Sequence, residues 1–120
     1  MSTEQLRNRT KAFAIEVVRF CRTLPRHDEG RIFARQLLRA GTSVGANYRA
    51  ACRPQSDADF VAKMAIVIEE CDEAAFWLEL ASDVALISNS SGARLLKEAD
   101  ELTRIFVVAR RTVQRRLGRL

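Results

Sequence analysis

The chain reads as an all-α protein, an antiparallel up-down-up-down four-helix bundle, and three observations lead there. Apolar residues recur every three or four positions through four long segments, and no segment alternates apolar and polar residues as a half-buried strand would. The segments are separated by short stretches rich in proline, glycine, serine and asparagine, and short loops favour antiparallel neighbours.

The first helix is predicted over about 3–23. Ser2 and Gln5 resemble a capping box, and Leu6, Thr10, Phe13, Val17, Phe20 and Leu24 keep one heptad seam until Pro25. The second helix is predicted over about 28–53, where Pro54 stops it. Ser56 and Asp59 then cap a third helix over about 57–86, whose seam is Phe60, Met64, Val67, Cys71, Ala74, Leu78 and Ala81. The tract SNSSG at 88–92 is predicted to turn the chain into a fourth helix over about 91–117. That helix carries Leu95, Ala99, Leu102, Phe106, Ala109 and Val113, and Gly118 ends it.

The second helix is the most informative. Phe33, Leu37, Ala40, Val44, Asn47 and Ala51 form a core stripe. An amide taken out of water without partners costs about 1–3 kcal/mol, so Asn47 is expected to be hydrogen-bonded, with Ser43 one turn earlier, as a polar core pair that fixes register. A second stripe, Ala34, Leu38, Gly41, Gly45, Tyr48 and Cys52, is dominated by small side chains. Glycine inside a helix costs about 1 kcal/mol relative to alanine, so Gly41 and Gly45 imply another backbone close by. Together with Tyr48 they are expected at an oligomer interface. The third stripe, Arg35, Arg39, Thr42, Ala46, Arg49 and Arg53, is a basic edge.

On the third helix a separate stripe through Ile66, Glu70, Glu73, Trp77, Leu80 and Val84 mixes acids with large apolar groups, more than a solvated face needs. It is expected to face a partner subunit. The alternative is a broad core with Trp77 at its margin.

At 120 residues and 48% apolar, the chain suits one domain with one core. The longest uncharged stretch, 84–93, is half the roughly 20 residues of a membrane span, and MSTEQLRNRT has no apolar signal core, so a cytoplasmic protein is expected. Cys21, Cys52 and Cys71 are widely spaced on apolar stripes and read as reduced core thiols.

The net charge of +5 is unevenly divided: residues 1–55 hold eleven bases against four acids, 56–83 one against eight, and 84–120 eight against three. Seventeen of the 20 bases are arginine, the side chain that best matches phosphate or carboxylate oxygens in pairs.

Catalytic chemistry is not visible. The lone histidine, His27, sits in the Pro25–Gly30 turn and reads as a solvated loop residue. Di-iron bundles need Glu-x-x-His on two helices, and this chain has none; the glycines at 41 and 45 lie inside a helix and match no phosphate loop. No cofactor, metal or enzymatic activity is expected.

Basic groups instead suggest a polyanion. Arg104, Arg110, Arg111, Arg115, Arg116 and Arg119 cluster on and after the last helix, and Arg35 and Arg39 add the edge of the second; Arg7, Arg9, Lys11, Arg19, Arg22 and Arg26 of the first helix enlarge the total. With few base-reading aromatics, RNA or DNA binding is expected to be directed at the backbone and sensitive to salt. A competing use is internal, the acidic third helix of one subunit neutralising a basic helix of its neighbour. The alternative function is a protein-interaction module that docks a partner through Trp77, Leu80 and the acidic face, with no nucleic-acid role.

The segments RAGTSVGANYRAA (39–51), SDADF (56–60) and IEECDEAAFWLEL (68–80) resemble the bacterial four-helix bundle family known from ribosomal-RNA intervening-sequence proteins, which includes the accessory variability protein of diversity-generating retroelements. Ser43 and Asn47 match the family's Ser-x-x-x-Asn, and Phe60 its aromatic after the third-helix cap. Where many members continue Ile-Ala-Glu-Gly, this chain has Tyr48, Arg49, Ala50 and Ala51. The resemblance implies a cytosolic, non-catalytic subunit of a homopentameric ring. In the retroelement branch it implies a basic ring that binds nucleic acid and a reverse transcriptase.

Overall fold

A computed structural model describes residues 1–87 and 90–120. They form four helices: α1 (Thr3–Cys21), α2 (Asp28–Ala51), α3 (Asp57–Asp83) and α4 (Ser90–Arg116). Cross-helix neighbours fix the directions. Gly41 lies over Val17 and Gly45 over Thr10; Phe33 packs at a tilt against Trp77; Asp57 pairs with Arg116 and Arg9 with Glu98. Every neighbouring pair is therefore antiparallel. The bundle runs up, down, up, down, with no strand among the described residues.

Local chemistry sets the ends. Ser2 Oγ accepts from the Gln5 amide at 3.1 Å and Gln5 Oε1 accepts from the Ser2 amide at 2.8 Å, a reciprocal capping box. Ser56 Oγ accepts from the Asp59 amide at 3.0 Å to open α3. His27, exposed in the turn before α2 as expected, also caps that helix, its Nδ1 accepting from the Gly30 amide at 3.1 Å. This turn is so tight that a Cβ on Gly30 would sit 2.0 Å from the Pro25 carbonyl oxygen.

The C-terminal ends are shorter than the periodicity predicts, because the closing residues leave helical geometry while their side chains still pack. Thr23 and Leu24 form a turn on Phe20 and Cys21, and Leu24 remains buried. At the end of α3, Ala85 adopts φ 57°, and the Leu86 amide donates to Ala81 O at 2.9 Å. This is a left-handed helix stop with alanine where glycine is the usual occupant. Of the expected 88–92 turn, 90–92 belong to α4, and 88 and 89 lie outside the described residues.

The predicted seams meet in one core. Phe13, Val17, Leu37, Val44, Met64, Val67, Cys71, Leu78, Leu102 and Phe106 are buried, and each large apolar side chain contributes about 1.5–3 kcal/mol. Thr10, also fully buried on the α1 seam, donates its hydroxyl to Arg7 O at 2.9 Å. Phe60 and Ala109 are half-buried at the edge. No helix among the described residues is long and apolar enough to cross a membrane.

Two expectations for α2 are corrected. Gly41, Gly45 and Tyr48 do not form an outer face. A Cβ on Gly41 would lie 2.7 Å from a Val17 methyl, and one on Gly45 would lie 3.4 Å from Thr10 O, so the glycines admit α1 of the same subunit. Tyr48 is 6% exposed, its ring centroid 5.4 Å from that of Phe106. Asn47 is half-buried and its Nδ2 donates to the Ser43 carbonyl at 2.8 Å, one turn back in the same helix. That bond satisfies the amide locally and ties no second helix, so within the subunit the Ser43/Asn47 pair sets no register.

Candidate nucleic-acid interface

The arginines divide according to what lies beside them. Arg39 reaches from α2 to α3, donating to Glu70 at 3.2 Å and to Glu73. Arg110 Nε donates to the Val61 carbonyl at 3.0 Å, and Arg116 pairs with Asp57 at 3.3 Å. These three, expected to contact nucleic acid, are engaged inside the subunit. For Arg39 and Arg116, the pairing of α3 acids with basic helices expected between neighbouring subunits thus occurs within one chain. Arg35, Arg104, Arg111 and Arg115 from the same expected set are exposed and have no ion-pair partner among the described residues.

Arg9 also has a structural role. Its guanidinium meets Glu98 through two bonds of 2.6 and 2.7 Å and Glu101 through one of 2.7 Å. The Glu98 hydrogen bonds hold its pKa far above the ordinary arginine value despite partial burial. It clamps α1 to α4, which meet less closely than the other neighbouring helices.

A different set converges. Arg7 and Lys11 stand one turn apart on α1; Arg49 and Arg53 stand one turn apart on and just after α2. All four line one depression of about 470 Å³, with Asn8 and Thr42 as polar neighbours and Glu4 as its one acid. Arg7, Arg49 and Arg53 line a second hollow of about 250 Å³. None of the four has an ion-pair partner among the described residues. Close, unpaired cations raise the local potential and favour an anion with several oxygens. The sequence shows two ordinary solvated i, i+4 pairs. Only the antiparallel α1/α2 register, which the two glycines permit, brings them together.

The α3 stripe lies partly outward. Ile66 and Val84 are exposed, and Glu70, Glu73 and Leu80 are half-buried. Trp77 packs on Phe33 at 5.5 Å and on Phe76 at 5.2 Å between centroids, at the margin of the core as the alternative expectation has it. Its Nε1 is buried with no acceptor among the described residues. Phe76, half exposed beside it, and Ile32 on α2 leave large apolar side chains in water. No group of three or more His, Cys, Asp or Glu side chains among the described residues is placed to hold a metal ion.

No curated protein matches the chain. The chain is similar to a protein of unknown function from the S23 ribosomal protein family of Bacteroides thetaiotaomicron, known from a crystal structure: 28% identity, a TM-score of 0.84, and coverage of 92% of this chain and 99% of that one. The model of the family described as 23S rRNA-intervening sequence protein matches residues 4–107. The chain belongs to the 23S rRNA-intervening sequence protein family.

Proposed function

We propose that this protein is a non-enzymatic, cytoplasmic, homo-oligomeric four-helix scaffold that binds RNA or DNA through backbone phosphates, with the α1/α2 groove as its primary contact. The observation that carries the reading is the convergence of Arg7, Lys11, Arg49 and Arg53, unpaired, on one depression. Exposed Arg35, Arg104, Arg111 and Arg115 offer weaker secondary contacts. Self-association is supported by the exposed apolar side chains Ile32, Ile66, Phe76 and Val84 and by the family resemblance, which implies a pentamer. Repetition of the groove around a ring would add modest phosphate contacts by multivalency.

The test is binding of a fluorescein-labelled generic RNA hairpin, read by anisotropy across a salt series. Four phosphate contacts predict affinity falling about 50- to 150-fold between about 50 and 200 mM salt. Absence of binding at the lowest salt overturns the nucleic-acid reading. Light scattering on a sizing column tests the assembly: a mass five times that of one chain is expected, and a monomer at micromolar concentration defeats it. Pull-down after nuclease treatment separates this reading from a protein-docking module, which would keep its partner.

A further inference from the structure

At the end of the bundle where α1 begins and α2 finishes, α4 stands off from α1 and leaves a groove of about 690 Å³. Its walls are mostly apolar: Leu6, Phe60, Ile105 and Val108 among them. Val108 is 64% exposed although it sits between two turns of core residues. No acid lines the groove. Its single charged side chain is Arg104, exposed and without an ion-pair partner among the described residues. The groove shares no lining residue with the α1/α2 depression.

Volume, lining and charge together specify an occupant. A largely apolar pocket of this size with a few polar groups is the usual form of a small-molecule site. The unpaired guanidinium selects an anion and binds a carboxylate through two parallel hydrogen bonds. Tyr48, Thr3 and Cys52 supply the remaining polar atoms. A cation finds no carboxylate here, and a neutral hydrocarbon leaves Arg104 without a counter-charge. We propose that this groove binds an amphipathic carboxylate, an extended apolar chain ending in one anionic head, with the chain along Leu6, Ile105 and Val108 and the head on Arg104.

The experiment is calorimetric titration of the full chain with decanoate, decylammonium and decanol, all well below micelle formation and at fixed ionic strength. Decanoate is expected to saturate one site per chain and to bind at least about 10-fold more tightly than decylammonium, the factor expected for charge-assisted hydrogen bonds. Arg104→Gln should remove that preference. Val108→Glu, at an exposed position, should abolish decanoate binding while the melting curve is unchanged. Cys52 gives a second readout: decanoate should slow its labelling by an uncharged maleimide in the parent and not in Val108→Glu. Lack of saturable binding up to about 2 mM decanoate, equal affinity for decylammonium, or indifference to both substitutions would each overturn the proposal.

Discussion

Alanine at Gly41 and alanine at Gly45 are the same chemical change, four residues apart on one helix, and the packing makes them opposite in sign. Each removes a helix-interior glycine, a gain of about 1 kcal/mol in propensity. At Gly41 the new Cβ would lie 2.7 and 2.8 Å from the two Val17 methyls and 3.1 Å from Val17 Cβ, against an ordinary carbon contact of about 3.5–4.0 Å. Val17 is fully buried and β-branched, so it has no free rotamer to swing into, and α1 must retreat. Overpacking of this kind costs about 1–3 kcal/mol, with the larger values expected where the neighbour is stiff, so Gly41→Ala should lose about 1–2 kcal/mol net. At Gly45 the nearest atom is Thr10 O at 3.4 Å, an ordinary contact, and Gly45→Ala should gain about 0.5–1 kcal/mol. The difference of about 2–3 kcal/mol corresponds to roughly 10 °C between the two melting temperatures at this chain length. Urea and thermal unfolding followed by circular dichroism at 222 nm measure it. Equal destabilisation by both substitutions would refute the packing account. So would two variants of unchanged stability that fail to assemble, since that would return the glycines to a contact between subunits.

Three further outcomes are expected. Ala85→Gly relieves a left-handed alanine and should stabilise the fold by about 1 kcal/mol in the same unfolding assay; loss of stability would contradict the assigned turn. Arg9→Gln removes three charge-assisted hydrogen bonds at a partly buried site and should cost about 1–2 kcal/mol, while a double-mutant cycle with Glu98→Gln should show coupling that vanishes if the clamp is absent. Thiol titration of the native protein at pH 8 should find Cys52 fast and the other two slow. Burial pushes Cys21 and Cys71 up to about 11, and their thiols donate to Ala34 O and Ala99 O; three equally reactive thiols would oppose this.

The helices are legible in the sequence because each carries a continuous seam at heptad spacing, and Ser2, Ser56, Pro25 and Pro54 punctuate it in unmistakable places. One-helix logic is where the sequence misleads. Gly41 and Gly45 do signal close approach of another helix, through the Val17 side chain at Gly41 and the Thr10 backbone at Gly45, but a stripe on an isolated helix does not say whether the visitor comes from the same chain. Asn47 at a seam position does find its bond at Ser43 one turn back, as its spacing suggests, but the acceptor is the backbone carbonyl of the same helix, so the register-fixing role expected of the pair does not follow. Ala85 gives no signal at all, since nothing in its chemistry announces φ 57°. The candidate site is half visible for the same reason. Charge density points to arginine, yet whether a guanidinium is engaged or open depends on cross-helix register. Arg39 meets two acids of α3, while Arg7 and Arg49 meet only each other's neighbourhood across α1 and α2.

The decisive measurement compares salt dependence of RNA-hairpin binding for two multiple variants. One replaces the open groove cations, Arg7→Gln, Lys11→Gln, Arg49→Gln and Arg53→Gln; the other replaces the engaged arginines, Arg39→Gln, Arg110→Gln and Arg116→Gln. The groove variant should bind far more weakly at low salt and lose roughly three units from the slope of log affinity against log salt, close to one per phosphate contact removed. The second variant should keep the parental slope, whatever it loses in stability. Equal slopes for the groove variant and the parent, or a slope lost only in the second variant, would contradict the assignment of the α1/α2 groove as the phosphate contact.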